Sequence, residues 1–316
     1  MCRVKNQPGI RYAMGVLKHR LIFGAVLIAA LVFLFALDNH LDSVHISGVL
    51  QNLRGGRDTL PRGLILFALS LVIAPLAAWE LSRILRENGI RATVPITCLA
   101  SIVGLCLSYS VPQTIPGPTA MAITSTGLVI VFVASLAYYS RNRNVEGVCA
   151  AAAGTMFAMV YLGLLFGFYL ALRRDHSAWL LLGVLAVTKS CDIGAYFTGM
   201  AIGKHKLAPW LSPGKTIEGL IGGMLTATLL GILLAWVSHQ VRAVLDIPLW
   251  LGAVCGAVFA LVGQMGDLIA SLFKRDAGIK DASSVLPGFG GVLDVIDSPL
   301  LVGPVAYWIF TSLPVK

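Results

Sequence analysis

The sequence predicts an all-α, polytopic integral membrane protein with about nine transmembrane helices. Of its 316 residues, 57% are hydrophobic and 12% are charged, and the mean hydropathy is +0.83. A soluble domain carries about 25% charged residues. Spans of roughly 20 apolar residues joined by short loops would give about eight to ten crossings. This composition excludes a disordered, fibrous or disulfide-stapled secreted protein.

The first predicted span follows a basic N-terminal segment, residues 1–20, that contains no carboxylate. An apolar run over 21–37 comes next, and it ends at Asp38 without a small-residue cleavage site. A segment of this kind is typical of a signal anchor that stays in the membrane. We therefore expect the N-terminus to lie in the cytoplasm.

The remaining predicted spans are apolar runs separated by short polar or basic stretches. Together with the first run they give nine predicted spans. The runs lie near residues 63–82, 94–112, 118–139, 147–171, 178–202, 217–238, 247–270 and 298–313.

The distribution of positive charge supports this topology. With the N-terminus inside and nine alternating spans, the inside segments hold 16 basic residues and the outside segments hold seven. That asymmetry has the sign of the positive-inside rule. It also accounts for the net charge of +9 without a nucleic acid partner. We expect a multi-pass protein of the inner (plasma) membrane whose functional face is cytoplasmic.

The chain divides by composition into a scaffold region, residues 21–184, and a chemically richer region, residues 185–316. The second region contains two predicted cytoplasmic loops, 203–219 and 271–297, which combine Lys, Gly, Pro and Asp. The six cysteines are scattered and form no CxxC pair, so neither a metal site nor a disulfide is assigned to them.

Ionisable residues inside apolar runs are candidates for function because burial in hydrocarbon is costly. Lys189 and Asp192 are three residues apart, so one helical face can hold both. A pair that only neutralises itself against a neighbouring helix is the alternative. Glu80 is a further carboxylate in an apolar run, and for it a charge at a cytoplasmic helix end is an equally good interpretation.

Three carboxylates lie at predicted membrane boundaries. Asp267 ends an apolar run beside Gly263 and Gly266, while Asp294 and Asp297 share a face if their segment is helical. Carboxylates without a neighbouring His or Cys set suit a hard cation, and Mg²⁺ commonly bridges carboxylates and substrate phosphates. A solvated helix face would explain the last two aspartates equally well.

Basic residues of the two predicted loops would lie on the same side as these carboxylates. Lys and Arg beside Mg²⁺ are suited to binding and transferring phosphoryl groups. The glycines after Pro287 would let backbone N–H groups approach a phosphate. The residues therefore indicate a metal-dependent phosphate site. The basic residues are Lys204, Lys206, Lys215, Lys274, Arg275 and Lys280.

These segments resemble the signature of the bacterial-type phosphatidate cytidylyltransferases, the CDP-diacylglycerol synthases. The resemblance covers residues 185–300, whereas the first half matches only as a membrane scaffold. Two positions depart from the family pattern: Phe289 stands where His is usual and Val295 where Arg is usual. The matching blocks are DIGAYF from Asp192, GKHKLAP from Gly203, SPGKTIEG from Ser212, SLFKR from Ser271, KD from Lys280 and LPGFGGVLDVID from Leu286.

The resemblance implies that CTP and phosphatidate react to give CDP-diacylglycerol and pyrophosphate. It implies metal binding by Asp267, Asp294 and Asp297, and a catalytic role for these three and Lys274. Mg²⁺ is the implied cofactor, and a second, monovalent cation such as K⁺ and a homodimer are left open. The residues implied in binding substrate or phosphate are Lys204, Lys215, Ser271, Arg275, Lys280, Asp281, Asp192, Gly290 and Gly291.

Two other functions fit the residues. A related CTP-dependent enzyme acting on a polyprenol or another lipid alcohol would need a similar arrangement of carboxylates and lysines. An ion-coupled transporter would use Lys189, Asp192 and Asp267 as an ion path. The lack of a visible internal repeat counts against the transporter.

Overall fold

A computed structural model describes residues 8–44, 59–110, 115–141, 143, 145–241, 247–286 and 290–313, with side chains described from residue 24 onward. The described residues form nine helices and one small β-hairpin. Eight of the helices are long and apolar enough to cross a membrane, and α3 is a shorter apolar helix. The predicted polytopic all-α fold is confirmed, while the orientation of the N-terminus stays a prediction.

The helices follow the predicted apolar runs in order. They are α1 Pro8–Leu41, α2 Leu64–Glu87, α3 Val94–Ser110, α4 Gly117–Ser140, α5 Val148–Asp175, α6 Ala178–Ile202, α7 Ile217–Gln240, α8 Leu249–Asp276 and α9 Val292–Thr311. Within α5 the segment Met159–Leu164 is π-helical.

Both predicted loops of the second region contain more regular structure than expected. Strands β1 Lys206–Ala208 and β2 Ser212–Thr216 pair in antiparallel fashion within 203–219. Helix α8 continues to Asp276 and α9 begins at Val292, so only 277–291 connects them. Hydropathy falls near the terminal turns of a helix when these turns carry charged side chains, as at the end of α8 and the start of α9. The predicted apolar runs are therefore shorter than the helices themselves.

Helices α7 and α8 approach each other closely through glycines. A Cβ atom placed on Gly252 would lie 2.5 Å from the carbonyl oxygen of Gly231, and one placed on Gly256 would lie 2.5 Å from that of Ala227. Small residues allow such backbone contact between membrane helices. The two helices that flank the predicted phosphate site therefore have a fixed spacing.

One end of the bundle, named here the Arg173 end, is held together by a buried ion cluster. Arg173 of α5 donates from Nε to Asp38 Oδ2 at 2.6 Å and from Nη2 to Asp42 Oδ1 at 2.8 Å. Asp38 Oδ1 also accepts the backbone N–H groups of Ile65 and Leu66 at the start of α2. The cluster thus joins α1, α2 and α5.

Candidate active site

The opposite end of the bundle carries a cluster of carboxylates and lysines. Lys215, in β2, lies with Nζ 2.6 Å from Asp267 Oδ2 of α8, and both side chains are partly exposed. Ser271 is one turn further along α8, with its hydroxyl 3.5 Å from Asp267 Oδ1. The hairpin thereby places Lys215, a predicted phosphate-binding residue, beside Asp267, a predicted metal ligand.

Asp297 is the most buried carboxylate of this cluster, with 3% of its surface exposed. Its Oδ1 accepts the backbone N–H of Ser298 at 2.6 Å and the Ser298 hydroxyl at 3.1 Å. Gly266 of α8 lies directly against it, since a Cβ there would be 2.5 Å from the Asp297 carbonyl oxygen. Asp267, Lys189 and Lys274 all act electrostatically on Asp297. Two carboxylates, on α8 and α9, therefore share one polar neighbourhood.

Asp294 has a different environment from the other two carboxylates. Its Oδ1 accepts a hydrogen bond from Lys274 Nζ at 2.6 Å. Its Oδ2 accepts the backbone N–H groups of Gly291 at 2.8 Å and Ala282 at 3.0 Å. Asp294 therefore caps the N-terminus of α9 and fixes the preceding connection.

Gly290 allows Asp294 to close over this turn. Its φ of +89° is in the left-handed region, and a Cβ there would meet Asp294 Oδ2 at 2.6 Å. Gly290 also pairs with Leu286 through two backbone hydrogen bonds. Of the two departures from the family pattern, Phe289 lies outside the described residues and Val295 is half-buried on α9.

Glu80 completes the support of this turn from the other half of the chain. The side chain is fully buried and accepts the backbone N–H groups of Val292 at 2.9 Å and Leu293 at 2.7 Å. It also accepts the Ser283 hydroxyl at 2.5 Å. From the sequence, Glu80 was either a functional carboxylate or a charge at a helix end, and its support of this turn was not predicted. The available signal was an acidic side chain within an apolar run, which is costly in a membrane unless it has a partner.

Lys189 links α6 to the same cluster. Its Nζ lies 3.3 Å from Asp192 Oδ2 and 3.5 Å from the Ser298 hydroxyl, which itself contacts Asp297. The predicted Lys189–Asp192 pair is therefore present. Lys189 also contacts Ser298 of α9, so this ion pair connects α6 to the carboxylate cluster.

The remaining predicted binding residues lie around the rim. Arg275 donates to the carbonyl oxygens of Leu211 and Ile279, each at 3.3 Å, so it ties the hairpin to the end of α8. The side chains of Lys204, Lys280 and Asp281 are exposed. These three positions stay candidates for contacts with a bound substrate.

Two buried polar groups near the cluster were not foreseen from the sequence. The Tyr161 hydroxyl and the Gln264 Nε2 amide nitrogen are buried and find no hydrogen-bond partner among the described residues. Tyr161 lies in the π-helical segment of α5, and Asp297 and Asp267 act on it electrostatically. π-Helical turns are frequent at functional sites. A lone aromatic in an apolar run carries no signal that distinguishes it from a core residue.

The donor set fits a metal ion only in part. In the portion of the chain that the structure describes, no three His, Cys, Asp or Glu side chains are grouped closely enough to hold one metal ion. Both oxygens of Asp294 are engaged by Lys274 and backbone N–H groups, so it does not fit as a ligand in this arrangement. Asp267 and Asp297 do fit, because Mg²⁺ sites often use one or two carboxylates together with substrate phosphates.

Comparison with known proteins points to one family. The model of the cytidylyltransferase family matches residues 59–313, which include every cluster residue described above. The chain belongs to the cytidylyltransferase family. It is therefore an enzyme, a nucleotidyltransferase built from membrane-spanning helices. Membership of this family argues against the transporter alternative.

Individual relatives in the family are similar over most of their length. The phosphatidate cytidylyltransferase of Staphylococcus epidermidis is 35% identical over 248 residues, 78% of this chain and 89% of that protein. That of Staphylococcus aureus is 34% identical over 245 residues, with the same coverage. That of Staphylococcus haemolyticus is 38% identical over 153 residues, 48% of this chain and 56% of that protein. The family expected from the motifs is confirmed.

Proposed function

We propose that this cytidylyltransferase acts on CTP and phosphatidate and forms CDP-diacylglycerol and pyrophosphate. The printed names of the staphylococcal relatives support phosphatidate as the acceptor. The observation that carries the proposal is the cluster itself, in which Asp267 and Asp297 lie beside Lys189, Lys215 and Lys274. Such a site at the end of apolar spans suits a phosphate attached to a lipid.

The chemistry requires no side-chain nucleophile. An ionised phosphate oxygen of phosphatidate forms the new bond to the α-phosphorus of CTP, and the bond from that phosphorus to the bridging oxygen breaks. The electron pair leaves with pyrophosphate. The protein must reduce repulsion between two anions and stabilise charge on the leaving group.

Lys215 and Lys274 are the cations best placed for this task. Each is paired with a carboxylate, Asp267 and Asp294 respectively, at 2.6 Å. The Nζ of Lys215 is buried beside Asp267 and finds no hydrogen-bond partner among the described residues, so an incoming phosphate can supply one. Lys274 is more buried and stays hydrogen-bonded to Asp294. Its ammonium group contributes positive charge to the site from that position. Arg275, Lys204 and Lys280 form the rim from which further phosphate contacts would come.

We further propose that Asp267 and Asp297 hold Mg²⁺, with a monovalent cation such as K⁺ bound beside it. When bound, the divalent cation supplies positive charge to the phosphates of both substrates. Asp294, Glu80 and Gly290 hold the turn before α9, and Asp192 orients Lys189. The cytoplasmic placement of the site is part of this proposal, since CTP is a cytoplasmic nucleotide, and the homodimer stays a prediction.

The test uses the purified full-length protein in lipid vesicles with CTP, phosphatidate and Mg²⁺. We expect equal amounts of pyrophosphate and CDP-lipid, and loss of both when ATP replaces CTP or when a chelator removes Mg²⁺. Polyprenyl phosphate in place of phosphatidate should give little product. No CDP-lipid from folded protein, or a clear preference for the polyprenyl acceptor, would contradict the assigned substrate.

A further inference from the structure

A cavity of about 860 Å³ lies at the end of the bundle opposite the active site. The first half of α6, the second half of α7 and the first half of α8 form most of its wall. Its volume lies within the range of roughly 300–1,000 Å³ that is common for small-molecule sites. The apolar part of the lining includes Leu182, Val187, Leu234, Cys255 and Phe259.

The cavity is distinct from the phosphate site but shares its helices. Further along α6 come Lys189 and Asp192, further along α8 comes Asp267, and α7 begins directly after β2, which carries Lys215. The same three helices therefore bind polar groups at one end and enclose apolar space at the other.

Apart from Ser238 of α7, the polar residues of the cavity lie near one end of α1, α2, α5 and α6 and form its mouth. Asp42 is paired with Arg173 at 2.8 Å and lies 4.0 Å from Arg62 Nε. Acidic and basic side chains at the mouth thus already face each other. The polar mouth is formed by Asn39, Asp42, Arg62, Asp175, His176 and Ser177.

The Nε2 nitrogen of His176 is a polar group of the cavity that is available to hydrogen-bond a ligand. Only 7% of its surface is exposed, and its Nε2 finds no hydrogen-bond partner among the described residues. Its ring packs 6.4 Å from that of Phe310, which also lines the cavity. Burial lowers the pKa of His176, so the imidazole is neutral near pH 7. A buried polar nitrogen of this kind favours a ligand that hydrogen-bonds to it.

We propose that this cavity binds an acyl chain of a neutral glycerolipid of the diacylglycerol type, whose hydroxyl or ester carbonyl hydrogen-bonds to His176 Nε2. The apolar wall matches a hydrocarbon chain, and the surrounding bilayer supplies it. The compensated charges at the mouth favour a neutral over an ionic headgroup. This inference does not rest on the identity of the cytidylyl acceptor.

The test is photolabelling of the full-length protein in detergent micelles with a diacylglycerol that carries a diazirine in one acyl chain. We expect saturable labelling of peptides from 178–187, 231–241 and 247–259, which is displaced by unlabelled diacylglycerol. Phosphatidate should displace the probe weakly. Displacement by phosphatidate as effective as that by diacylglycerol would overturn the neutral headgroup.

Variants at Gly183 separate occupancy of the cavity from general folding. A Cβ at this position would meet Leu234 Cδ1 at 3.6 Å, an ordinary contact, so Gly183→Ala should leave labelling unchanged. Gly183→Trp should obstruct the cavity and strongly reduce labelling at all three segments. Leu229→Trp places the same side chain on the exposed lipid-facing side of α7 and serves as the matched control. Equal labelling in Gly183→Trp and wild type would overturn the proposal.

A variant at His176 tests the hydrogen bond by itself. His176→Phe keeps an aromatic ring against Phe310 but removes both nitrogens. We expect roughly fivefold weaker competition by diacylglycerol, as for the loss of one hydrogen bond. Unchanged affinity in this variant, or labelling spread evenly over the exposed faces of all helices, would overturn the assigned site.

Discussion

The two ends of the bundle use the same residue types in opposite ways. At the Arg173 end, Arg173 and Asp38 have side chains with 0% exposure, and Arg173 donates to Asp38, Asp42 and two carbonyl oxygens. At the active end, Lys215 and Asp267 keep 20% and 28% of their side-chain surface exposed. An ion pair whose donor nitrogens are all engaged holds helices together, whereas Lys215 Nζ finds no hydrogen-bond partner among the described residues and can bind one from a ligand.

This comparison predicts opposite effects of removing the cation at each end. Arg173→Met leaves Asp38 buried without its partner, which should lower the free energy of unfolding by about 3–5 kcal/mol. Thermal unfolding in detergent, with the equivalent Lys215→Met as the control, measures this difference. An Arg173→Met protein as stable as wild type would contradict a structural role for the ion cluster at the Arg173 end.

The second prediction concerns the active end. Lys215→Met should lower the turnover number by about 100-fold or more, the size of effect seen when a group that stabilises transition-state charge is removed. Its unfolding midpoint should fall less than that of Arg173→Met, because Asp267 keeps 28% of its side-chain surface exposed to solvent when its partner is removed. A stable variant with normal turnover would remove Lys215 from the site.

Glu80 sharpens the comparison because it is buried like Asp38 but supports the active end. Glu80→Gln has one acceptor oxygen instead of two, so the turn before α9 should loosen and turnover should fall by roughly 10-fold. Amide hydrogen exchange at 292 and 293 should rise in the same variant. Glu87→Gln, at an exposed position of the same helix, is the matched control. Unchanged exchange at both amides would contradict the assigned contacts.

The smallest expected effect distinguishes two glycines of the same connection. Gly278 and Gly290 both have positive φ, but a Cβ meets Asp294 only at Gly290, whereas the space at Gly278 is open. Both alanine variants should lose about 1 kcal/mol of stability through backbone strain. Only Gly290→Ala should also lower turnover, by a few-fold, in a steady-state assay. Equal turnover in the two variants would contradict the close approach of Gly290 to Asp294.

Hydropathy and charge predicted the fold and part of the site. The nine apolar runs correspond to the nine helices of the described residues, because helices in a membrane must be apolar over a fixed length. Asp267 and Asp297 were found as carboxylates at predicted membrane boundaries, and Lys215 and Lys274 as basic residues of the two predicted loops and of the family motifs. The structure brings all four to one end of the bundle.

Contacts between distant parts of the chain could not be predicted from the pattern of neighbouring residues. Glu80 and Val292 are 212 residues apart, and no local feature announces that they touch. The role of Asp294 had a local signal, since an acidic side chain three residues after Gly291 is the pattern of a capped helix. The resemblance favoured metal binding for Asp294, and the structure favours capping.

The most direct test of the account compares wild type with Asp267→Asn and Asp297→Asn in vesicles that contain phosphatidate, CTP and Mg²⁺. Pyrophosphate and CDP-lipid are measured together, and circular dichroism verifies that each variant is folded. We expect wild type to form both products in equal amounts and both variants to lose at least about 99% of that turnover. Near-normal turnover in either folded variant would show that the reaction does not take place at this pair of carboxylates.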